Sequence, residues 1–248
     1  MSTEATRELV AVGNRTATRP QVVAETLTAA GVSLPARSAL IGAATADVTA
    51  PAVPGARRIG TRWNAEQFVE STESVSVETV ITRITGDRVE RHVALRDANG
   101  ALRESGTETW CLDDRADAPV APELDFCSVE WGNLLSDSLE GDRGFTSSLS
   151  TWDGTIGLRC GDRELHLRMY KGDIVDVSRR TPHGATFTFV ASAHTWVDLV
   201  LSDTDDFMRR AISGEFSSTG DGYEYLRLTK PLNTIIAHAR LIARKANS

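Results

Sequence analysis

Five histidines, His92, His166, His183, His194 and His238, are the side chains most able to move protons near neutral pH. None stands in an HExxH or HxH pattern, so a metal centre has no signature here. Alternation places His92 and His166 on the polar face of strands, where solvent-facing rings are expected. His238 reads as a helix-end cation and His194 as a residue of a helix's first turn. His183, in Thr181-Pro182-His183-Gly184, falls on a loop, where functional groups gather. It is the histidine we select as a candidate acid or base.

Other catalytic patterns are missing. There is no GxSxG nucleophile elbow, no GxxxxGK[ST] and no GxGxxG. Gly220-Asp221-Gly222 precedes a helix, but no buried parallel strand leads into it. It reads as a turn whose Asp221 caps the next helix. Asp203, Asp205 and Asp206 suit the positive end of a helix starting near Thr204. Arg91 and Glu108 read as a cross-strand pair, not a catalytic dyad. Tyr223, Tyr225 and Arg168 join His183 as candidate catalytic side chains.

The elements that must position these groups follow from periodicity. Pro20 opens a helix over 20–30 with Val22, Val23, Leu27 and Ala30 on one stripe and Gly31 at its end. Glu25 is the acidic residue in it. Residues 32–60 have no readable period. Strands are expected over 74–84, 88–96 and 101–112. Asn99-Gly100 joins the last two, setting Arg91 opposite Glu108 and Val89 opposite Trp110. The acidic, Ala/Pro-rich Asp113–Pro122 reads as a linker. A short helix within 123–145 carries Val129, Leu134, Leu135 and Leu139.

A second meander is expected over 150–160, 163–170 and 173–179, with a fourth strand over 185–191. The period then changes to 3.6 residues. Trp196, Leu199 and Val200 mark one helix; Phe207, Met208, Ala211 and Ile212 mark another, stopped by Gly214. A short strand over 215–219 and a last helix with Leu226, Leu232, Ile235, Ile236, Ala239 and Ile242 complete the chain. Arg240, Arg244 and Lys245 gather towards its end, where the dipole favours cations. Phe187, Phe189, Trp196, Phe207, Met208, Ile212 and Leu226 are the candidate ligand-binding set. Helices over a curved sheet make a natural lid on an apolar cavity.

Composition limits the functional classes. The chain has 248 residues, a net charge of −7 and a pI near 5.3. An acidic chain without a Lys/Arg run is a poor fit to nucleic acid or an anionic membrane surface. Three cysteines without a CxxC suggest neither a disulfide framework nor zinc. The N-terminal twenty residues lack a basic region followed by an apolar block, so no signal peptide is expected. A cytoplasmic protein without a cofactor is the expectation.

Residues 150–245, through GLRCGDRELHLRMYKGDIVDV and WVDLVLSDTDDFMRRAISGEFSSTGDGYEYLRLTK, resemble the sterol carrier protein 2 family. The resemblance implies an α+β domain with a five-stranded sheet and an apolar tunnel for lipids, acyl chains or sterols. Residues 60–112, through VSVETVITRITGDRVERHVALRDANGALRESGTETW, resemble the sheet of hotdog-fold acyl-thioester hydratases and thioesterases. No histidine precedes His92, so the Asp–His dyad of the hydratase branch has no counterpart. The expected architecture is α+β throughout: a hotdog-like antiparallel sheet with helix over 1–115, a linker with a short helix over 116–149, and a sterol-carrier-like domain with an apolar pocket over 150–248. Two functions are compatible with this reading. One is binding of an apolar small molecule or an acyl or polyketide chain. The other is a biosynthetic enzyme for cyclisation, dehydration or thioester hydrolysis that folds its substrate and uses one acid or base. The hotdog resemblance implies a homodimer through the N-terminal sheet.

Overall fold

The computed structural model describes residues 10–29, 31, 37–38, 53, 55–112 and 121–246. It divides into two compact units, Met1–Val120 and Ala121–Ser248. Both are α+β with largely antiparallel sheets. Most of the expected linker and of the unread stretch 32–60 lies outside the described residues.

Unit 1 contains β1 (Arg15–Ala17), β2 (Gln21–Val22), helix α1 (Val23–Ala29), β3 (Arg37–Ser38), β4 (Ala56–Ala65), β5 (Val69–Glu70), β6 (Ser74–Thr85), β7 (Arg88–Asp97) and β8 (Leu102–Leu112). The main sheet runs β1-β6-β7-β8-β4, with β2 also on β6. The helix begins three residues after Pro20, because Gln21 and Val22 pair with Val75 and Ser74 instead. Val23 and Leu27 of α1 pack on Val69, Val75, Val77, Val93, Leu95 and Trp63. A second cluster, Val10, Val53, Ile81, Val89, Trp110 and Leu112, fills the other end of the same face.

Arg91 does face Glu108, and Val89 faces Trp110. The turn, however, is one residue longer than a two-residue hairpin. Asp97 bonds across it to Ala101, Gly100 takes φ +81°, and an irregularity at Leu95/Arg96 restores the register. The pair is buried on the core face, 2% and 0% exposed. Arg91 Nε donates to Glu108 Oε2 at 2.6 Å, and Arg58 Nη1 donates to Oε1 at 3.0 Å. Trp110 Nε1 donates to Oε2 at 3.0 Å, and the Arg91 guanidinium lies 4.8 Å from the Trp110 ring centre. Gly106 on this face lets Trp63 approach: a Cβ there would stand 2.6 Å from the Arg62 carbonyl and 2.7 Å from the indole.

Unit 2 opens with a 3-10 turn (Pro122–Leu124). Then come α2 (Val129–Glu140), α3 (Arg143–Ser148), β9 (Asp153–Cys160), β10 (Arg163–Tyr170), β11 (Asp173–Ser178), β12 (Phe187–Ala191), α4 (Ala193–Leu201), α5 (Phe207–Ile212), β13 (Ser217–Gly220), α6 (Gly222–Arg227) and α7 (Thr229–Ala246). The sheet order is β11-β10-β9-β12-β13. The expected meander holds only through β11. Loop 179–186 then crosses back, and β12 pairs parallel to β9, with Phe187 beside Ile156 and Phe189 beside Leu158. β13 is antiparallel on β12, so no parallel strand feeds the Gly220-Asp221-Gly222 turn. Asp221 Oδ1 accepts from the N–H groups of Tyr223 and Glu224 at 2.9 and 3.1 Å, capping α6 as expected.

Two residues of α7 depart from the helix-end expectation. Arg240 is buried within α7 and bonds to the end of another helix. Its Nη1 donates to Leu199 O at 2.6 Å and its Nη2 to Ser202 O at 2.8 Å, satisfying carbonyls that α4 leaves open. His238 lies mid-helix: Nδ1 meets Ser138 Oγ at 2.7 Å and Nε2 meets Asp142 Oδ2 at 3.2 Å. Asp206 precedes α5 but makes no capping bond; it pairs with Arg209 and Arg210.

Candidate ligand cavity

The candidate ligand residues separate into two groups. Phe187, Phe189, Trp196 and Phe207 are buried. Phe189 stacks on Phe216 with ring centres 4.6 Å apart and meets Trp196 and Phe207 edge-on at 5.9 and 5.6 Å. Such spacings are those of a closed aromatic core. Met208, Ile212 and Leu226 are on the surface instead, 48%, 84% and 71% exposed. In helices this short, one face meets β12 and the opposite face meets water.

The candidate catalytic residues do not converge. His183 is exposed in a turn closed by the Gly184 N–H on Thr181 O at 3.0 Å. Tyr223 is 73% exposed. Tyr225 is half-buried against Phe187 and Phe189, and burial raises its phenol pKa. Arg168 pairs with Asp153 and donates to Gly154 O at 3.0 Å.

His166 corrects the solvent-facing expectation: it is 1% exposed. The backbone N–H of Thr181 donates to Nδ1 at 2.9 Å. Nε2 therefore carries the proton and donates to Glu164 Oε1 at 2.9 Å. Desolvation raises the Glu164 pKa, but hydrogen bonds from His166 and Arg159 outweigh it and the net shift is downward. Carboxylate, imidazole and hydroxyl in series is the order that activates a hydroxyl nucleophile. Here the Nδ1 lone pair is occupied by an amide, and the Thr181 hydroxyl donates to Gly184 O at 2.7 Å. The series acts as a clasp that fastens loop 179–186 over the outer face of the sheet. Thr186 Oγ1, accepting from Thr155 N–H at 3.0 Å, adds a second fastening.

Unit 2 contains a half-open pocket of about 320 Å³ lined by Leu139, Glu140, Phe145, Thr146, Gly172, Asp173 and Ile174. Three segments build it. Leu139 is the innermost apolar residue at the C-terminal end of α2 and is fully buried. Phe145 is set by α3, whose N-cap Asp142 accepts from Phe145 N–H at 2.8 Å. That bond, then His238, holds the Asp142 pKa below the ordinary aspartate value. Through Ser138 and Asp142, His238 ties the end of α2 to the start of α3. The third wall is the β10–β11 turn. Gly172 has φ +98°, and a Cβ on it would stand 2.5 Å from Thr146 O, so the turn closes directly onto α3.

The floor is apolar, from Leu139, Phe145 and Ile174, and Glu140 and Asp173 stand exposed at the rim. The volume is at the small end of the range for ligand pockets, about 300–1,000 Å³. Nothing in residue spacing pointed to this site, although Leu139 was legible in the helix stripe. Among the described residues no group of His, Cys, Asp and Glu is arranged to hold a metal ion, and no helix is long and apolar enough to cross a membrane.

No protein-family model and no curated protein matches the sequence. Among solved structures the chain is similar to a sterol carrier protein 2, at 14% identity and a TM-score of 0.40, covering 47% of this chain and 98% of that one. It is also similar to the R-hydratase PhaJ1 of Pseudomonas aeruginosa, at 16% identity and a TM-score of 0.35, over 42% of this chain and 82% of that one. A MaoC-like dehydratase of Rhodospirillum rubrum matches at 20% identity and a TM-score of 0.33, over 42% of this chain and 94% of that one.

Proposed function

We propose that the chain binds an apolar small molecule, or the apolar part of an acyl or polyketide chain, in the cavity of unit 2. The observation that carries this reading is the 320 Å³ space floored by Leu139, Phe145 and Ile174 and walled by helix, helix and turn. Each methylene taken from water into such a floor contributes about 0.8 kcal/mol before the cost of immobilising the ligand. Binding there needs no chemistry. Among the described residues the cavity lining has no histidine, cysteine or tyrosine, so an enzymatic role would need other groups.

Native mass spectrometry of the protein purified from its own host tests the proposal. A co-purifying apolar molecule, lost when Leu139→Trp fills the cavity, is the expected result. Retention of that molecule by a folded Leu139→Trp variant would move the site elsewhere.

A further inference from the structure

The rim of the cavity restricts what its ligand's head can be. Glu140 at the end of α2 and Asp173 at the start of β11 both line the space, and both are exposed carboxylates. Neither has an ion-pair partner among the described residues. The nearest cation in sequence, Lys171, does not line the cavity; its ammonium lies 5.1 Å from the Tyr170 ring centre. Arg143, on α3, does not line it either. The lining therefore combines buried or half-buried apolar side chains with two exposed carboxylates, and Thr146 and Gly172 add neutral polar groups.

We infer that the cavity takes an apolar body with a cationic head, such as a protonated alkyl or aryl amine, and disfavours anionic heads such as free carboxylates and phosphates. This rests on the cavity reading above and narrows its ligand class. The physical reason is direct. An ammonium at a rim that carries two carboxylates gains attraction while its chain gains burial. A carboxylate in the same seat meets two like charges, which disfavours the anion. The discrimination is screened by salt because the rim is open to solvent.

The test uses three eight-carbon probes of equal chain length: octylamine, octanol and octanoate. Each is titrated into the full-length 15N-labelled protein at low ionic strength and neutral pH. Shift perturbations at Thr146, Gly172 and Ile174 locate the site, and their saturation gives the affinity. The expected order is octylamine, then octanol, then octanoate, with about tenfold between first and last. In the Glu140→Gln/Asp173→Asn double variant the three probes should bind alike. Both residues are exposed, so the variant should fold, which its amide spectrum checks. If octanol saturates at these amides but octanoate binds as tightly as octylamine, the headgroup inference is overturned while the cavity reading stands. If none of the three saturates there, the cavity reading itself is overturned.

Discussion

The two units handle buried charge in opposite ways. Unit 1 runs a polar stripe through its core: Arg91, Glu108 and Arg58 sit between two apolar clusters on the helix-bearing face of the sheet. Among the described residues of unit 2 the buried face of the sheet is apolar, and the buried Arg240 bonds to helix-end carbonyls instead of a carboxylate. Leu165, Leu167 and Met169 lie with Ile156, Leu158, Phe187 and Phe189, while Glu164 and His166 occupy the opposite face under loop 179–186. Removing an ion pair from water costs energy that attraction only partly returns. Unit 1 meets that cost inside its core, with hydrogen bonds to both carboxylate oxygens of Glu108. Unit 2 meets it beneath a loop. The first arrangement locks strand register, and the second locks a loop.

Substitutions can break each arrangement, and the largest effects lie in the two cores. Glu108→Ala leaves Arg91 buried without its carboxylate and should destabilise unit 1 by about 3–5 kcal/mol. Phe189→Ala should cost unit 2 about as much, 3–5 kcal/mol, because the ring touches Trp196, Phe207, Phe216 and Tyr225. The comparison sharpens with compensation. Arg91→Met/Glu108→Leu should recover most of unit 1's stability, since Arg58 keeps a path to solvent. Denaturant unfolding followed by hydrogen exchange assigns each loss to its unit. Equal losses for the single and double variants of unit 1 would contradict the ion-pair account.

Smaller effects are expected at the clasp. His166→Ala leaves the Thr181 N–H without its acceptor and should cost about 1–3 kcal/mol. Faster amide exchange should be confined to residues 179–186 and their strand neighbours. Acid should act on the same place. Glu164 has a folded pKa below its ordinary value of 4.5, so its contribution is present above that pH and is lost as pH falls through the lower folded value. A thermal midpoint that stays level from pH 6 to pH 3 would contradict this. The smallest effect belongs to the surface. Ile212→Ser should change stability by no more than about 0.5 kcal/mol, against a loss of several for Phe207→Ala five residues earlier.

Most of the elements were legible in the sequence. Two-residue alternation marked β6 to β11, and the hairpin at Asn99-Gly100 gave the right partners for Arg91 and Val89. The harder features depend on what covers a face. Alternation put His166 on the polar side of β10, and so it is, but the sequence does not show a loop lying across that side. Spacing likewise cannot separate aromatic residues that line a space from those that fill it. Phe216, inside a segment read as a short strand, completes the stack with Phe189. The pocket lined by Leu139, Glu140, Phe145, Thr146 and residues 172–174 joins segments far apart in sequence, and Gly172 lets the turn approach α3 closely.

The central claim is that unit 2 holds a ligand against Leu139, Phe145 and Ile174 and not within the cluster of Phe187, Phe189, Trp196 and Phe207. Titration of methyl-labelled protein with octanol tests it most directly, because a neutral probe is indifferent to the rim charges. The account predicts saturable shifts of the Leu139 and Ile174 methyl signals, with the Leu199, Val200 and Ile235 methyl signals unmoved. Saturable shifts confined to those last three, or no saturable shift at Leu139 and Ile174, would contradict it.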